Sequence, residues 1–285
     1  MRWTPGGMSG DIEDRRASSG GPPIRGVHLG IGGTLVLIVL SLIFKRDFVS
    51  MFSGAGGPAP SVNEASRSAE QSPEEAKLVQ FVSFVLDDTQ NTWEKVLPQQ
   101  AGVPYRHAKL VLFRDATQSA CGLAQTATGP FYCPADEKVY VDLGFFDELK
   151  NQFGAPGEFA QAYVLAHEIG HHVQKILGIA GKVHSLQESN PGASNPLSVR
   201  LELQADCFAG VWGNSTAQRN LIEQSDVEAG IRAAGAVGDD RIQKMARGYV
   251  SPESFTHGSS AQRAEWFQRG LSSGSLNQCN TFEGR

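Results

Sequence analysis

Cysteine is scarce in this chain, four in 285 residues, and no two of them form a C-x-x-C pair or another zinc-ligand spacing. That argues against a metal centre built from cysteine. Cys121, Cys133, Cys207 and Cys279 can form two disulfides in three ways. The simplest pairing joins the neighbours Cys121 and Cys133 and leaves Cys207 to reach Cys279; four buried thiols are the alternative. An excess of positive charge is also missing. With 19% charged residues and a formal net charge of -5, the chain has no basic footprint for a nucleic-acid partner. Long apolar runs are absent with one exception, Val27 to Phe44, which holds no Asp, Glu, Lys or Arg. The composition, 40% hydrophobic, suits a globular protein of one or two domains.

The exceptional run is long enough to span a hydrocarbon core. A signal peptide would carry a shorter apolar stretch and a small-residue cleavage site, whereas Lys45-Arg46 follows here at once. The expected organisation is therefore a flexible tail over 1–26, a single transmembrane helix over 27–44 in contact with the lipid bilayer, a linker over 45–72, and one domain over 73–285. Arg2, Arg15, Arg16 and Arg25 precede the run, against Lys45, Arg46 and Arg67 after it, a bias toward a cytoplasmic N-terminus. Disulfides persist outside the cytoplasm. Both arguments put the domain on the extracytoplasmic side, periplasmic or extracellular.

Within 73–285, Ser72-Pro73-Glu74-Glu75 reads as a helix start, with an N-cap residue, Pro at the first position and acids in the first turn. This helix is expected to end near Leu97, before Pro98. Strand candidates follow at 108–113, 119–126, 129–133 and 138–142, the last (KVYVD) with clear alternation. One exposed strand edge could hold an extended peptide; equally, the sheet could serve only to cover helices. Gly178 to Asn195 reads as a long connection, and Asn195-Pro196 as the start of a helix ending at Gly213-Asn214. The fold class is α+β with a small, mostly antiparallel sheet.

The chemistry concentrates in His167-Glu168-Ile169-Gly170-His171, inside a helix expected from Glu158 to Leu177. Leu165, Ile169, Val173 and Ile176 supply its buried stripe. His167 and His171 are i and i+4, so both imidazoles leave one face and can share one Zn²⁺. Glu168 lies beside that position, where a carboxylate can take a proton from activated water. Downstream, Glu202 and Asp206 repeat the i, i+4 spacing in a helix that otherwise looks core-forming. Buried carboxylates need partners. Glu202 as third metal ligand and Asp206 on the outer nitrogen of a histidine would provide them. Two histidines and a glutamate leave a fourth position open, as a catalytic zinc site requires.

These residues carry a resemblance. HEIGHHVQ at 167–174, ELQADCFAGVW at 202–212 and FTHGSSAQRAEWF at 255–267 resemble the bacterial family of neutral zinc metallopeptidases. MRW at 1–3, DIEDRR at 11–16 and GPFYCPADEKVYVD at 129–142 resemble it too, so the similarity covers nearly the whole chain. The resemblance implies a zincin-like, gluzincin-type hydrolase with one zinc per chain. It makes His167, His171 and Glu202 the ligands, Glu168 the general base and Asp206 their support. Gln174 and Leu177 stand where a metzincin needs Gly and a third His, which excludes that subclass. Related membrane peptidases also carry a T-H-x-S run followed by Arg. The likeness implies an oxyanion-stabilising role for His257 and a pairing of Arg263 with a carboxylate such as Asp206. His172 projects about 100° from the ligand histidines on a helical wheel and reads as structural.

The expected function is a membrane-anchored zinc endopeptidase acting on a peptide or protein. The alternatives are a latent or non-enzymatic envelope protein that uses the fold as a binding module, and a soluble secreted form. Intact Glu168 argues against a purely structural zinc, which needs no adjacent base. The sequence carries no signal for oligomeric state.

Overall fold

The computed structural model describes residues 1–17, 72–125 and 129–283. The apolar run at 27–44 and nearly all of the expected linker lie outside the described residues. Among those described, no helix is long and apolar enough to cross a membrane.

The element order is β1 (Ile12–Asp14), α1 (Pro73–Ala101), β2 (Lys109–Phe113), β3 (Ala116–Ser119), β4 (Gly122–Gln125), β5 (Phe131–Cys133) and β6 (Lys138–Asp142). The helices α2 (Gly144–Asn151), α3 (Glu158–Ile176), α4 (Ile179–Ser189), α5 (Ser194–Gln218), α6 (Gln224–Ala236), α7 (Asp239–Arg247) and α8 (Ser260–Ser273) complete it. Helix α1 starts as its sequence dictates: the Ser72 Oγ accepts from the Glu75 amide at 3.1 Å. It runs past Pro98 for one more turn and stops at Gly102, whose left-handed φ of 67° lets its amide bond the Pro98 carbonyl.

The main sheet has the order β1-β2-β6-β5, with β1–β2 and β2–β6 parallel and β5–β6 antiparallel. The expectation of a mostly antiparallel sheet is therefore corrected to a mixed one. The 119–126 candidate is not one of its strands: Ser119 ends β3 and 122–125 form β4 of a separate hairpin, while Thr126 lies outside the described residues. That hairpin and β5 carry the chain from β2 to β6 as a crossover, which lets the two central strands run the same way. Apart from their first residues, β2 and β6 are buried throughout, as strands covered on both faces are. The Cys121–Cys133 disulfide ties the β3–β4 turn to the end of β5, and Cys207–Cys279 ties α5 to the C-terminal segment.

Residues 1–17 do not behave as the flexible tail expected of 1–26. They lie on the domain: β1 adds a strand beside β2, Trp3 packs on Phe81 and Phe84, and its indole donates to Glu158. The segment carries single anchors rather than a periodic pattern, and its charges find partners far away in sequence. Local reading misses such a strand.

The core gathers α1, α3, α5 and α8 against the sheet, with Trp93, Trp212, Phe208, Phe159 and Phe267 almost fully enclosed. Helices α5 and α8 approach so closely that a Cβ on Gly270 would sit 1.9 Å from the Cys207 carbonyl oxygen, and one on Gly210 2.1 Å from that of Phe267. Only glycine fits at such a crossing. The expected stop of α5 at Gly213-Asn214 does not occur. Gly213 stays helical and makes room for Leu271, whose Cδ1 would lie 2.8 Å from an added Cβ. The segment 178–195, expected as a connection, is largely the helix α4.

Candidate metal centre

Helix α3 carries the H-E-x-x-H residues at the heart of the fold. Leu165, Ile169 and Val173 bury its apolar stripe, and the opposite pair, His167 and His171, faces α5. Gly170, between them, brings α5 close: a Cβ there would lie 3.0 Å from the Ala205 carbonyl oxygen. That approach delivers Glu202 to the histidines. Ligating atoms of His167, His171 and Glu202 all lie within 4.8 Å of one another. The His167 Nε2 is 3.1 Å from Glu202 Oε2, and the His171 Nε2 is 3.4 Å from Glu202 Oε1.

Each histidine is supported through its other nitrogen. His167 Nδ1–H donates to Asp206 Oδ1 at 2.8 Å, and His171 Nδ1–H donates to Gln174 Oε1 at 2.9 Å. Gln174 is itself held, its amide donating to the Leu201 carbonyl at 2.7 Å. Both rings thus keep Nε2 directed at Glu202, the tautomer a metal ligand needs. Asp206 is fully buried, and Arg263 grips it through Nε at 2.8 Å and Nη2 at 2.9 Å. Tyr163, one turn ahead of His167, donates its hydroxyl to Asp206 Oδ1 at 2.5 Å.

Burial works against charge on His167, yet Asp206 and Glu202 outweigh it and raise its pKa to about 10. Burial alone would raise the Glu202 pKa, but the two imidazoles hold it well below the carboxylate range. A buried carboxylate facing two imidazole nitrogens is a donor set that zinc accepts. The residues present fit the metal.

Glu168 is buried next to the ligands, and among the described residues no hydrogen bond or ion pair engages its carboxylate. His257 sits in the loop before α8, where Gly258 packs on Val199 and Leu203, the residues flanking Glu202 by one turn and one position. Asp239, at the start of α7, organises that loop. Its Oδ2 accepts from the amides of Thr256, His257 and Gly258, and its Oδ1 lies 3.2 Å from the His257 Nδ1. Burial opposes the charge of His257, but Asp239 and the field of Glu202 prevail and lift its pKa above the ordinary value. His172 lies apart, bridging the Tyr132 hydroxyl and the Arg106 carbonyl.

The structure therefore assembles His167, Glu168, His171, Glu202, Asp206 and Arg263 in one place, with His257 half-exposed at its border. Sequence reasoning missed Tyr163, Gln174 and Asp239. Of these, Tyr163 and Gln174 had a usable signal, four residues before His167 and three after His171 on one helix.

Comparison with known proteins agrees with this picture. The chain is 48% identical over 287 residues to the uncharacterized protein YpfJ of Escherichia coli K12, covering 99% of each chain. It is 43% identical over 201 residues to the uncharacterized protein Rv2575 of Mycobacterium tuberculosis H37Rv, covering 67% of this chain and 66% of that one. No solved structure matches. The model of the family described as "Putative neutral zinc metallopeptidase" matches residues 1–282, and the chain belongs to that family.

Proposed function

We propose that this protein is a zinc-dependent endopeptidase of the zincin type, with His167, His171 and Glu202 as metal ligands. The observation that carries the reading is the convergence of those three side chains beside Glu168, each histidine held through Nδ1. A zinc ion held there would supply Lewis acidity, polarising the scissile carbonyl and acidifying water.

The chain's own residues supply the rest. Glu168 accepts the proton of the attacking water and passes it to the leaving amine. His257, fixed at Nδ1 by Asp239, whose carboxylate favours its charged form, donates from its ring toward the developing oxyanion. Asp206 and Arg263 keep His167 aligned. The sheet supports peptide binding: β1 covers one edge, while β5 is the opposite edge and joins α3 through the Tyr132–His172 hydrogen bond. As the last strand on that side, β5 is where an extended substrate would add. The two disulfides favour an oxidising, extracytoplasmic location.

The test is Glu168→Gln in the full chain. Bound zinc should stay at the parent's level while cleavage of an unfolded protein falls by about 10²–10⁴-fold, and a chelator should abolish the parent's activity. Zinc in both proteins with cleavage in neither would move the assignment to the binding-module alternative.

A further inference from the structure

We propose that residues 1–17 and the domain beginning at Pro73 form one folded body and therefore lie on the same side of any membrane the protein meets. This inference is independent of the catalytic reading.

It rests on where the first residues pack. Strand β1 pairs in parallel with β2 over Ile12↔Leu110, Glu13↔Val111 and Asp14↔Leu112. Asp11 accepts from Lys109 at 2.7 Å, from the Gln90 amide at 2.8 Å, and contacts the His107 ring at 2.6 Å. Glu13 pairs with Lys138 on β6 at 2.6 Å. Trp3 reaches α3, and the Arg2 amide donates to the Leu221 carbonyl beyond α5 at 2.7 Å. These contacts reach α1, α3, β2, β6 and the segment after α5. They form part of the fold.

The two points where the chain leaves and re-enters this body are adjacent. Arg16 Nη1 is 2.6 Å from Glu75 Oε1, and Glu75 is the residue whose amide Ser72 caps. A single crossing would separate Ala17 from Ser72 by a hydrocarbon layer of about 30 Å. Contact could then be kept only by burying Asp11, Glu13, Asp14, Arg15 and Arg16 in lipid, and charged groups there are strongly disfavoured. Placing the arm and the domain on one side removes the conflict. The charge count that favoured a cytoplasmic N-terminus included Arg15 and Arg16. In the fold these are engaged by Glu13, Asp14 and Glu75.

The experiment places single cysteines in the full-length chain, one in the arm at the exposed Met8 (Met8→Cys) and one in the domain at the exposed Tyr249 (Tyr249→Cys). The native cysteines are all in disulfides, so each variant adds one reactive thiol. Gly6→Cys, with nothing within 4 Å of its Cβ position, and Val250→Cys form a second pair should either first variant fold poorly. Spheroplasts of the expressing bacterium are treated with a membrane-impermeant maleimide before and after permeabilisation. The expected result is identical behaviour of arm and domain. Labelling of one position in intact spheroplasts and of the other only after permeabilisation would overturn the shared side.

Discussion

Asp206 offers the sharpest separation of stability from metal binding. Its carboxylate accepts from Tyr163, His167 and twice from Arg263, and its side chain is fully buried, with that of Arg263 5% exposed. Asp206→Ala leaves the guanidinium buried without its counter-charge, a change worth about 3–5 kcal/mol. At about 2–4 °C per kcal/mol for a chain of this size, the melting midpoint should fall by roughly 6–20 °C. The same change removes the acceptor at His167 Nδ1, and loss of such a partner weakens metal binding by about 10–100-fold. The two effects come apart in Asp206→Leu combined with Arg263→Met, which removes both charges and refills the space. That double variant should melt above either single substitution, while its zinc affinity stays below the parent's. Melting is followed without added metal, so that ligand linkage does not enter, and affinity is read by competition with a chromophoric chelator. An Asp206→Ala midpoint within about 2 °C of the parent, or full zinc affinity in the double variant, would refute the reasoning.

Asp239→Asn should lower kcat with little change in KM or bound zinc, because the carboxylate acts on the His257 loop and not on the ligands; steady-state kinetics on a fluorogenic peptide read this, and a pure KM effect would count against it. His107 ties the N-terminal arm to α1 by contacting Asp11 and Glu94. Burial opposes its charge, the two carboxylates outweigh burial, and its folded pKa is raised above 6.5, while that of Asp11 is lowered below 3.8. The clamp's contribution is therefore complete between those two values. It is lost as pH rises through the folded His107 pKa, and also as pH falls through that of Asp11. Thermal melts across pH should show a decline on the alkaline side that His107→Gln abolishes. Removing Cys207–Cys279, which closes 72 residues, should destabilise by up to about 4 kcal/mol, and removing Cys121–Cys133, which closes 12, by about 3 kcal/mol in the loop-entropy picture. Denaturant titration of the paired Cys→Ala variants tests the order.

What the sequence made legible was local. The helix bearing His167 and His171 was expected from Glu158 to Leu177 and runs from Glu158 to Ile176, because an i, i+4 stripe is written within one segment. Ser72 announced α1 for the same reason. Glu202 and Asp206 stood out because two acids in a core-forming helix demand an explanation. What stayed hidden depends on partners distant in the chain. Asp239 looks like an ordinary first-turn acid, and its acceptors' role appears only when residues 256–258 fold over it. Strand β1 gains its neighbours from β2, nearly a hundred positions away, and the direction of β6 relative to β2 depends on the path between them. Gly213 carries the same lesson in reverse: it resembles a terminator by composition, yet the nearness of Leu271 puts it to use inside a helix.

The crossing of α5 and α8 at Gly210 and Gly270 has a consequence for the centre one to two turns away. Arg263 stands on α8 and Asp206 on α5, so the reach between them is set by how deeply one backbone sinks into the other. A single methyl group at either glycine would act as a wedge, with α8 as the lever and the guanidinium at its moving end. The alignment of His167 is thereby governed from a contact that touches neither metal ligand nor substrate, and the least chemical residues of the chain hold its most chemical ones in register.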